Sequence, residues 1–343
     1  MLASRPKIHA PRAHTREGPP NLTLRAGHNR WGLHWAAKVL DDTGHPEGPR
    51  LAKEAEAYGQ DILASFREAA LLSPLVRLRD GTYVPYYPSR LYLRGRSFGW
   101  MRETLDGSLN LICTELLDPN GEEALWIIKD YEDNRYVSAR YGYSLEDEER
   151  WWFDRGGFSV QPNLLQGPIA YLLRDEVNHY LRSYFNSFAA TFRRDTRACT
   201  EHPMPTLADW AGDHFKTSDE AQSAHWLRLM FVQERGEELC LGRALPRRWL
   251  EDGLRIAIRR AMTHFGAMSM EIESAVARGQ ITVRLDPPRR NPPSRIRLRL
   301  RHPDAAPIQS VKLDRMGEAE WTIEDDWIVL PALDSPTTIT VSY

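Results

Sequence analysis

Up to about residue 250, hydrophobic residues recur every three or four positions, which is the spacing of amphipathic helices. A helix over 177–192 carries an aromatic stripe whose commonest explanation is a core position, and a short helix over 169–173 precedes it. Residues 1–29 show no periodicity and are expected to be irregular. Further helices are predicted over 31–43, 51–72, 99–117, 121–131 and 219–234, the last with Ser218 as its N-cap.

From about Leu254 the period changes to two, with apolar and polar residues alternating between glycine and proline turns. Several short strands with regular turn signals predict an antiparallel β-sandwich. We therefore predict an α+β fold with a helical domain over 30–253 and a sandwich domain over 254–343. The predicted strands contain Met270/Ile272, Ile281/Val283/Leu285, Ile296/Leu298/Leu300, Val311/Leu313, Trp321/Ile323, Ile328/Leu330 and Ile339/Val341/Tyr343.

Two local patterns leave their meaning open. Asp80-Gly81 is a hairpin-turn signal, so a short hairpin or an extended loop is predicted there. The nearby tyrosines either line a cleft or pack over helix ends. They are Tyr83, Tyr86, Tyr87 and Tyr92. On one predicted strand four arginines share a face that is either solvated or an anion-binding ridge. They are Arg295, Arg297, Arg299 and Arg301.

Composition excludes several classes of function. The net charge of −2 gives no indication of nucleic acid or an anionic membrane surface as a partner. No apolar segment reaches the roughly 18 residues of a membrane span. The N-terminal residues lack the apolar core of a signal peptide. Cys113, Cys199 and Cys240 lie too far apart for a disulfide framework or a metal knuckle. Motifs for zinc, phosphate or dinucleotide binding are missing, so we expect neither a metal nor a cofactor.

The long connection over 195–222 is the segment richest in candidate chemistry. Loops longer than about 12 to 15 residues are uncommon in compact domains unless they are functional or disordered, and the apolar residues here argue against disorder. Glu201 is the favoured catalytic candidate because His202 and backbone groups can tune its carboxyl; the alternative is an exposed loop glutamate. Asp219 is a second candidate, although a carboxylate in the first turn of a helix is also favourable to the helix dipole.

Six segments of the sequence resemble six-hairpin glycosidases, bacterial proteins built on an (α/α) toroid that is followed by a β-sandwich. They are RDGTYVPYYPSR, DYEDNRYVSARYGY, WWFDRGGFSVQPNLL, YLRSYFNSF, TEHPMPTL and HFKTSDEAQ. The resemblance covers about 30–343 and implies a carbohydrate-active protein with an oligo- or polysaccharide substrate. A complete toroid has more helices than this chain offers, so we expect the chain to begin partway through one. Such enzymes are often exported, which favours an extracellular or periplasmic location.

The resemblance implies a pair of carboxylates from different loops, one acting as acid and the other as base or nucleophile. Besides Glu201 and Asp219, the candidates are Asp130, Glu132 and Asp133, which end a predicted helix where negative charge opposes the dipole. Planar polar and aromatic side chains are the expected substrate contacts: Trp151, Trp152, Arg155, Gln161, Asn163, His202, Trp210 and Lys216. Two alternatives stay open. One is a polysaccharide lyase using His202, Tyr141 and Lys216; the other is a non-catalytic or vestigial carbohydrate-binding protein.

Overall fold

The computed structural model describes residues 22–88, 108–135, 137–138, 142–143, 167–199, 202–204, 209–211, 215, 217–314 and 321–343. Within these ranges the fold is α+β, with helices followed by mostly antiparallel sheets. The chain divides into two compact units. The helical unit comprises the residues up to Arg174 together with 201–212, and the sheet unit comprises 175–200 and 213–343. The predicted domain boundary at 253/254 stays a prediction.

A helical hairpin opens the helical unit. Helix α1 is Leu22–Asp42 and α2 is Gly48–Leu71, and the two pack against each other. The chain leaves α1 through Gly44, whose φ of +69° is in the left-handed region that favours glycine. Because α1 already begins at Leu22, the expectation of irregular structure over 1–29 is wrong for residues 22–29.

The predicted hairpin at Asp80-Gly81 is confirmed. Strand β1 (Val76–Arg77) pairs antiparallel with β2 (Tyr83–Val84). The turn is held by Asp80 Oδ1, which accepts the Thr82 N–H at 2.8 Å, and Gly81 has a φ of +91°. Tyr86 and Tyr87 are buried, and Tyr86 joins a small core with Val76, Leu78 and Val84. These two tyrosines therefore pack inside the fold, while Tyr92 lies outside the described residues.

Short helices and hairpins complete the helical unit. They are α3 (Leu109–Cys113), α4 (Glu122–Arg135), β3 (Val137–Ser138), β4 (Gly142–Tyr143), α5 (Gly167–Leu173), β7 (His202–Met204) and β8 (Asp209–Ala211). Helix α3 packs against α1, α4 and α5. Helix α4 extends four residues beyond its predicted end at 131, so the acidic residues that follow belong to its last turns.

The sheet unit begins with helices and continues as strands. Its elements are α6 (Val177–Thr191), β5 (Phe192–Arg193), β6 (Ala198–Cys199), α7 (Thr217–Phe231), β9 (Val232–Arg235), β10 (Glu238–Leu241), β11 (Arg255–Thr263), β12 (Gly266–Ala275), β13 (Gln280–Asp286), β14 (Arg295–Arg299), β15 (Ser310–Leu313), β16 (Thr322–Glu324), β17 (Trp327–Pro331) and β18 (Thr337–Ser342). Short 3-10 turns span Arg247–Leu250 and Val276–Arg278.

Ten of these strands form two five-stranded sheets. The orders are β16-β17-β14-β10-β9 and β11-β12-β13-β18-β15. Burial alternates along the strands as predicted: in β13, Val283 is fully buried while Arg284 on the opposite face is exposed. One pairing among the described strands departs from the antiparallel expectation, because β10 runs parallel to β14.

The start of the sheets corrects two predictions. The helix predicted to reach residue 234 ends at Phe231, because Val232–Arg235 instead pairs with β10. Ser218 lies inside the first turn of α7 and not at its N-cap, since the helix begins at Thr217. Among the described helices, none combines the length and apolar character needed to cross a lipid bilayer.

Candidate functional site

The acidic residues at the end of α4 are the predicted catalytic candidates that the structure describes most fully. Asp130 and Asp133 lie one helical turn apart on the same face, and both are buried. Glu132 is half-buried on a different face. Carboxylates near a helix C-terminus are unfavourable to the helix dipole, so each needs compensating partners from elsewhere in the fold.

Arg79 from the β1–β2 hairpin supplies those partners for Asp133. Oδ1 of Asp133 accepts the backbone N–H of Arg79 at 2.8 Å and its Nε–H at 3.1 Å. The Asp133 side chain is 9% exposed, whereas that of Arg79 is 43% exposed. A mostly buried carboxylate therefore faces a guanidinium that still reaches solvent.

Glu132 has a phenol among its neighbours. The hydroxyl of Tyr171, which is buried in α5, donates to Glu132 Oε1 at 2.8 Å. Helix α5 is held nearby because Arg174 Nη1 donates to the carbonyl of Pro119, just before α4, at 2.6 Å. The two adjacent acids thus have chemically different environments, one beside a cation and one beside a phenol.

The start of α4 carries a second polar cluster. Arg67 of α2 donates to both carboxylate oxygens of Glu123, at 2.9 and 2.7 Å, and the Tyr87 hydroxyl donates to the same carboxylate. The hydrogen bond from Arg67 is the main cause that lowers the pKa of Glu123. Burial, with the neighbouring carboxylate, raises the pKa of Tyr87. This cluster ties α2 to α4 and positions the helix that carries the candidate acids.

The β7–β8 hairpin belongs to the same compact unit as α4. Its register pairs His202 with Ala211 and Pro203 with Trp210. Residues on both sides of the hairpin, 175–200 and 213–343, belong to the sheet unit, so the chain returns to the helical unit for this segment alone. Of His202 and Trp210 the structure describes the backbone.

Asp219 belongs to the sheet unit, whereas the α4 acids belong to the helical unit. Its side chain is fully buried in the first turn of α7, and Oδ2 accepts a hydrogen bond from Ser218 at 3.1 Å. Cys199 is buried beside it, and burial together with Asp219 and Glu220 raises the pKa of its thiol. The position of Asp219 in the first turn agrees with the helix-dipole explanation, and its catalytic role stays a prediction.

Most other predicted site residues lie outside the described residues: Glu201, Trp151, Trp152, Arg155, Gln161, Asn163, Lys216 and the lyase candidate Tyr141. Sequence reasoning did not find Arg79 or Tyr171. Both partners come from elements far from α4 in the chain, 54 and 39 residues from the acids that they contact. Nothing in the local pattern around either residue indicated the pairing.

Three of the four arginines on the predicted face form ion pairs with carboxylates. Arg295 pairs with Glu238, Arg297 lies 3.4 Å from Glu324, and Arg299 lies 2.7 Å from Asp326. Arg297 and Arg299 also lie over the ring of Trp327, at 5.1 and 5.2 Å from its centroid.

Arg301 does not share that face. It is buried past the end of β14, donates to the Leu245 carbonyl at 2.7 Å, and burial lowers its pKa to about 10. Ion pairs within the sheet unit therefore account for Arg295, Arg297 and Arg299, and the anion-binding alternative stays a prediction.

Comparison with known proteins adds little. No family model matches the sequence, and a search of curated proteins finds no match. Among solved structures the chain is similar to a GH127 beta-L-arabinofuranosidase from Geobacillus stearothermophilus T6, with 10% sequence identity and a TM-score of 0.25. That similarity covers 51% of this chain and 31% of the arabinofuranosidase. A TM-score this low does not establish a shared fold, so the function has to be argued from the side chains of this chain.

Proposed function

We propose that this chain is a carbohydrate-active protein of the glycoside hydrolase type and that its helical unit is part of an (α/α) toroid. The working carboxylates are Glu201 and the acids at the end of α4. One observation carries this assignment: the β7–β8 hairpin, which Glu201 immediately precedes, belongs to the compact unit that contains α4. Acids from two loops of one unit fit the two-carboxylate requirement of glycoside hydrolysis.

The environments of the α4 acids support a division of roles. Asp133 faces the guanidinium of Arg79, which suits a group that acts as a carboxylate, as base or nucleophile. The hydroxyl of Tyr171 donates a hydrogen bond to Glu132, which also favours the carboxylate form, so we assign the proton-donor role to Glu201. Glu201 is then the partner of one of them across the glycosidic bond. Asp130 is buried to about the same extent as Asp133 and stays a further candidate among the α4 acids.

The test is the release of reducing ends from a panel of soluble plant and bacterial polysaccharides. The variants are Glu201→Gln, Asp133→Asn and Glu132→Gln. Their control is Glu122→Gln, which replaces an exposed glutamate at the other end of α4. Loss of a general acid or base lowers turnover by about a hundredfold or more. Glu122→Gln should keep full activity, and circular dichroism spectra should show that all four variants fold.

Activity that survives in both Glu201→Gln and the α4 variants would contradict the assignment. Products with an unsaturated ring, detected by their ultraviolet absorbance, would instead point to the lyase alternative.

A non-catalytic protein is the second candidate, and one observation favours it. Asp133 accepts a backbone N–H as well as a side-chain bond from Arg79, so its contacts also serve to fasten the β1–β2 hairpin to α4. If Asp133→Asn lowers the unfolding midpoint in urea while no polysaccharide releases reducing ends in the wild type, the structural role stands and the hydrolase proposal fails.

A further inference from the structure

The sheet unit carries two adjoining depressions that the proposed hydrolase site does not use. The first, with a volume of about 310 Å³, lies beside β11 and is lined by Phe231, Trp249, Leu254, Arg255, Ile256 and Ala257. The second, of about 400 Å³, lies over β12, β13 and β18, and its polar lining includes Arg259, Ser269, Glu271, Arg284, Asp286 and Thr338. Both lie within one compact unit.

An ion pair joins the two depressions. Arg255 lines the first depression and pairs with Glu271, which lines the second. Glu271 also lies 3.4 Å from Arg259 and 3.6 Å from Arg284. The Arg255–Glu271 ion pair therefore links the two depressions at β11.

The first depression has an aromatic wall. The ring centroids of Trp249 and Phe231 are 6.0 Å apart, and Phe185 of α6 meets Trp249 edge-on at 6.4 Å. Trp249 and Phe231 are half-buried and Phe185 is 43% exposed. Three aromatic side chains from α6, α7 and a 3-10 turn thus hold one another in place while part of their surface still meets solvent.

The second depression is lined by both charged and apolar residues, and its two arginines are balanced by the carboxylates of Glu271, Asp286 and Asp314. The guanidiniums of Arg259 and Arg284 face the carboxylates of Glu271 and Glu273, with Arg284 Nη2 3.7 Å from Glu273. Because carboxylates neutralise the arginines, the surface does not attract a polyanion. It instead presents hydrogen-bond donors and acceptors side by side.

We propose that these two depressions form one binding surface for a neutral polysaccharide chain, separate from the α4 acids. A sugar ring has an apolar face that suits the wall of Trp249 and Phe231, and its hydroxyl groups match the alternating guanidinium and carboxylate groups around Glu271. The charge balance selects an uncharged polyhydroxyl ligand over a nucleic acid or an acidic polymer. The choice of carbohydrate rests on the proposed function, whereas the position of the surface rests on the contacts above.

Affinity electrophoresis of the full chain in native gels tests the surface. The probes cast into the gel are arabinan, xyloglucan and dextran, with polygalacturonate as an anionic comparison. We expect at least one neutral polysaccharide to retard the wild-type chain. Trp249→Ala should weaken this binding by about tenfold or more, the loss of a single stacking contact being of order 1.4 kcal/mol. Trp31→Ala is the matched control, since Trp31 is 45% exposed and belongs to the helical unit.

A second variant keeps the test decisive if Trp249→Ala does not fold. Arg259 has a side chain that is 72% exposed, and Arg259→Gln should weaken the same retardation. Because the substitution removes one positive charge, the retardation of each variant is measured relative to its own mobility in a gel that contains no polysaccharide. Retardation by none of the neutral probes, retardation by polygalacturonate alone, or equal retardation of wild type, Trp249→Ala and Arg259→Gln would overturn the proposal.

The release of reducing ends is measured separately, so the two proposals can fail independently. Binding that depends on Trp249 without any hydrolysis supports this surface and counts against the hydrolase. Hydrolysis by a chain whose retardation is unchanged by both substitutions supports the hydrolase and counts against this surface.

Discussion

Substitution of Asp175 tests how the turn before α6 is fixed. Asp175 has a φ of +62°, in the left-handed region that favours glycine and asparagine over other residues. Its Oδ1 and Oδ2 each lie 2.9 Å from Arg299 Nη1, and Oδ1 lies 3.3 Å from Arg243 Nε. One residue therefore combines an unfavourable backbone conformation with a charged contact between the turn and β14.

The loss of unfolding free energy on removing the Asp175 carboxylate depends on which partners Arg299 and Arg243 keep. Arg299 keeps Asp326 at 2.7 Å, and Arg243 keeps the side-chain oxygen of Gln233 at 2.9 Å, so neither guanidinium loses its last partner. A hydrogen bond to a charged group contributes about 1.5–3 kcal/mol. Because the Asp175 side chain is 40% exposed, solvent screening places its loss near the lower end, at about 1.5 kcal/mol.

Three substitutions separate the charge from the backbone. Asp175→Asn tolerates the left-handed conformation and keeps one acceptor oxygen, so we expect a loss of about 1 kcal/mol. Asp175→Gly removes the carboxylate but relieves the left-handed strain, so we expect a loss of about 1 kcal/mol. Asp175→Ala removes the carboxylate and keeps that strain, for a loss of about 2 kcal/mol.

The assay is equilibrium unfolding in urea, followed by circular dichroism and tryptophan fluorescence. With a slope of about 2 kcal/mol per molar urea, a 1 kcal/mol step moves the midpoint by about 0.5 M. Equal midpoints for Asp175→Ala and Asp175→Gly would refute the backbone part of the reasoning. A wild-type midpoint for Asp175→Asn at low salt would refute the ion-pair part.

Two further predictions concern polar contacts of α2, α4, α6 and α7. The Tyr180 hydroxyl donates to the buried carbonyl of Trp226 at 2.5 Å; we expect Tyr180→Phe to lower the unfolding free energy by about 1 kcal/mol and Tyr180→Ala by about 3–5 kcal/mol, measured in urea. Similar losses for both would show that the hydroxyl, and not ring packing, dominates. Arg67 lowers the pKa of Glu123 from its ordinary 4.5, so this carboxylate contributes stability above that pH which is lost as the pH falls through the lowered pKa. Between about pH 5 and pH 3 the wild type should therefore lose stability more steeply than Glu123→Gln, and parallel pH profiles from thermal melts would contradict this.

Local patterns predicted a large part of the fold because the residues that specify those elements are close together in the chain. The spacing of apolar residues predicted α2, the turn chemistry of Asp80 and Gly81 predicted the β1–β2 hairpin, and alternation predicted β12 and β13. The acids at the end of α4 oppose the helix dipole, and this also indicated that they need compensating partners. Each of these inferences depends on interactions within one helix, one turn or one strand.

Strands β9 and β10 were missed for a related reason. Val232–Arg235 continues directly from the helical period of α7, and the two strands are only four residues long. Their turn contains Gly236, with a φ of +59°, but one glycine between glutamates and arginine is a weak signal. What decides the strand conformation is the parallel pairing of β10 with β14, more than 50 residues away in sequence.

The candidate sites divide in the same way. The sequence by itself determined which residue types were present: the acids at the end of α4, the tryptophans and the alternating arginines of β14. Only the tertiary structure decided their partners, placing Arg79 on Asp133, Tyr171 on Glu132 and carboxylates on the arginines. The physical reason is that the environment of a charged group is set by whatever packs against it, and those neighbours come from chain segments whose approach is governed by burial and strand pairing, which local periodicity does not encode.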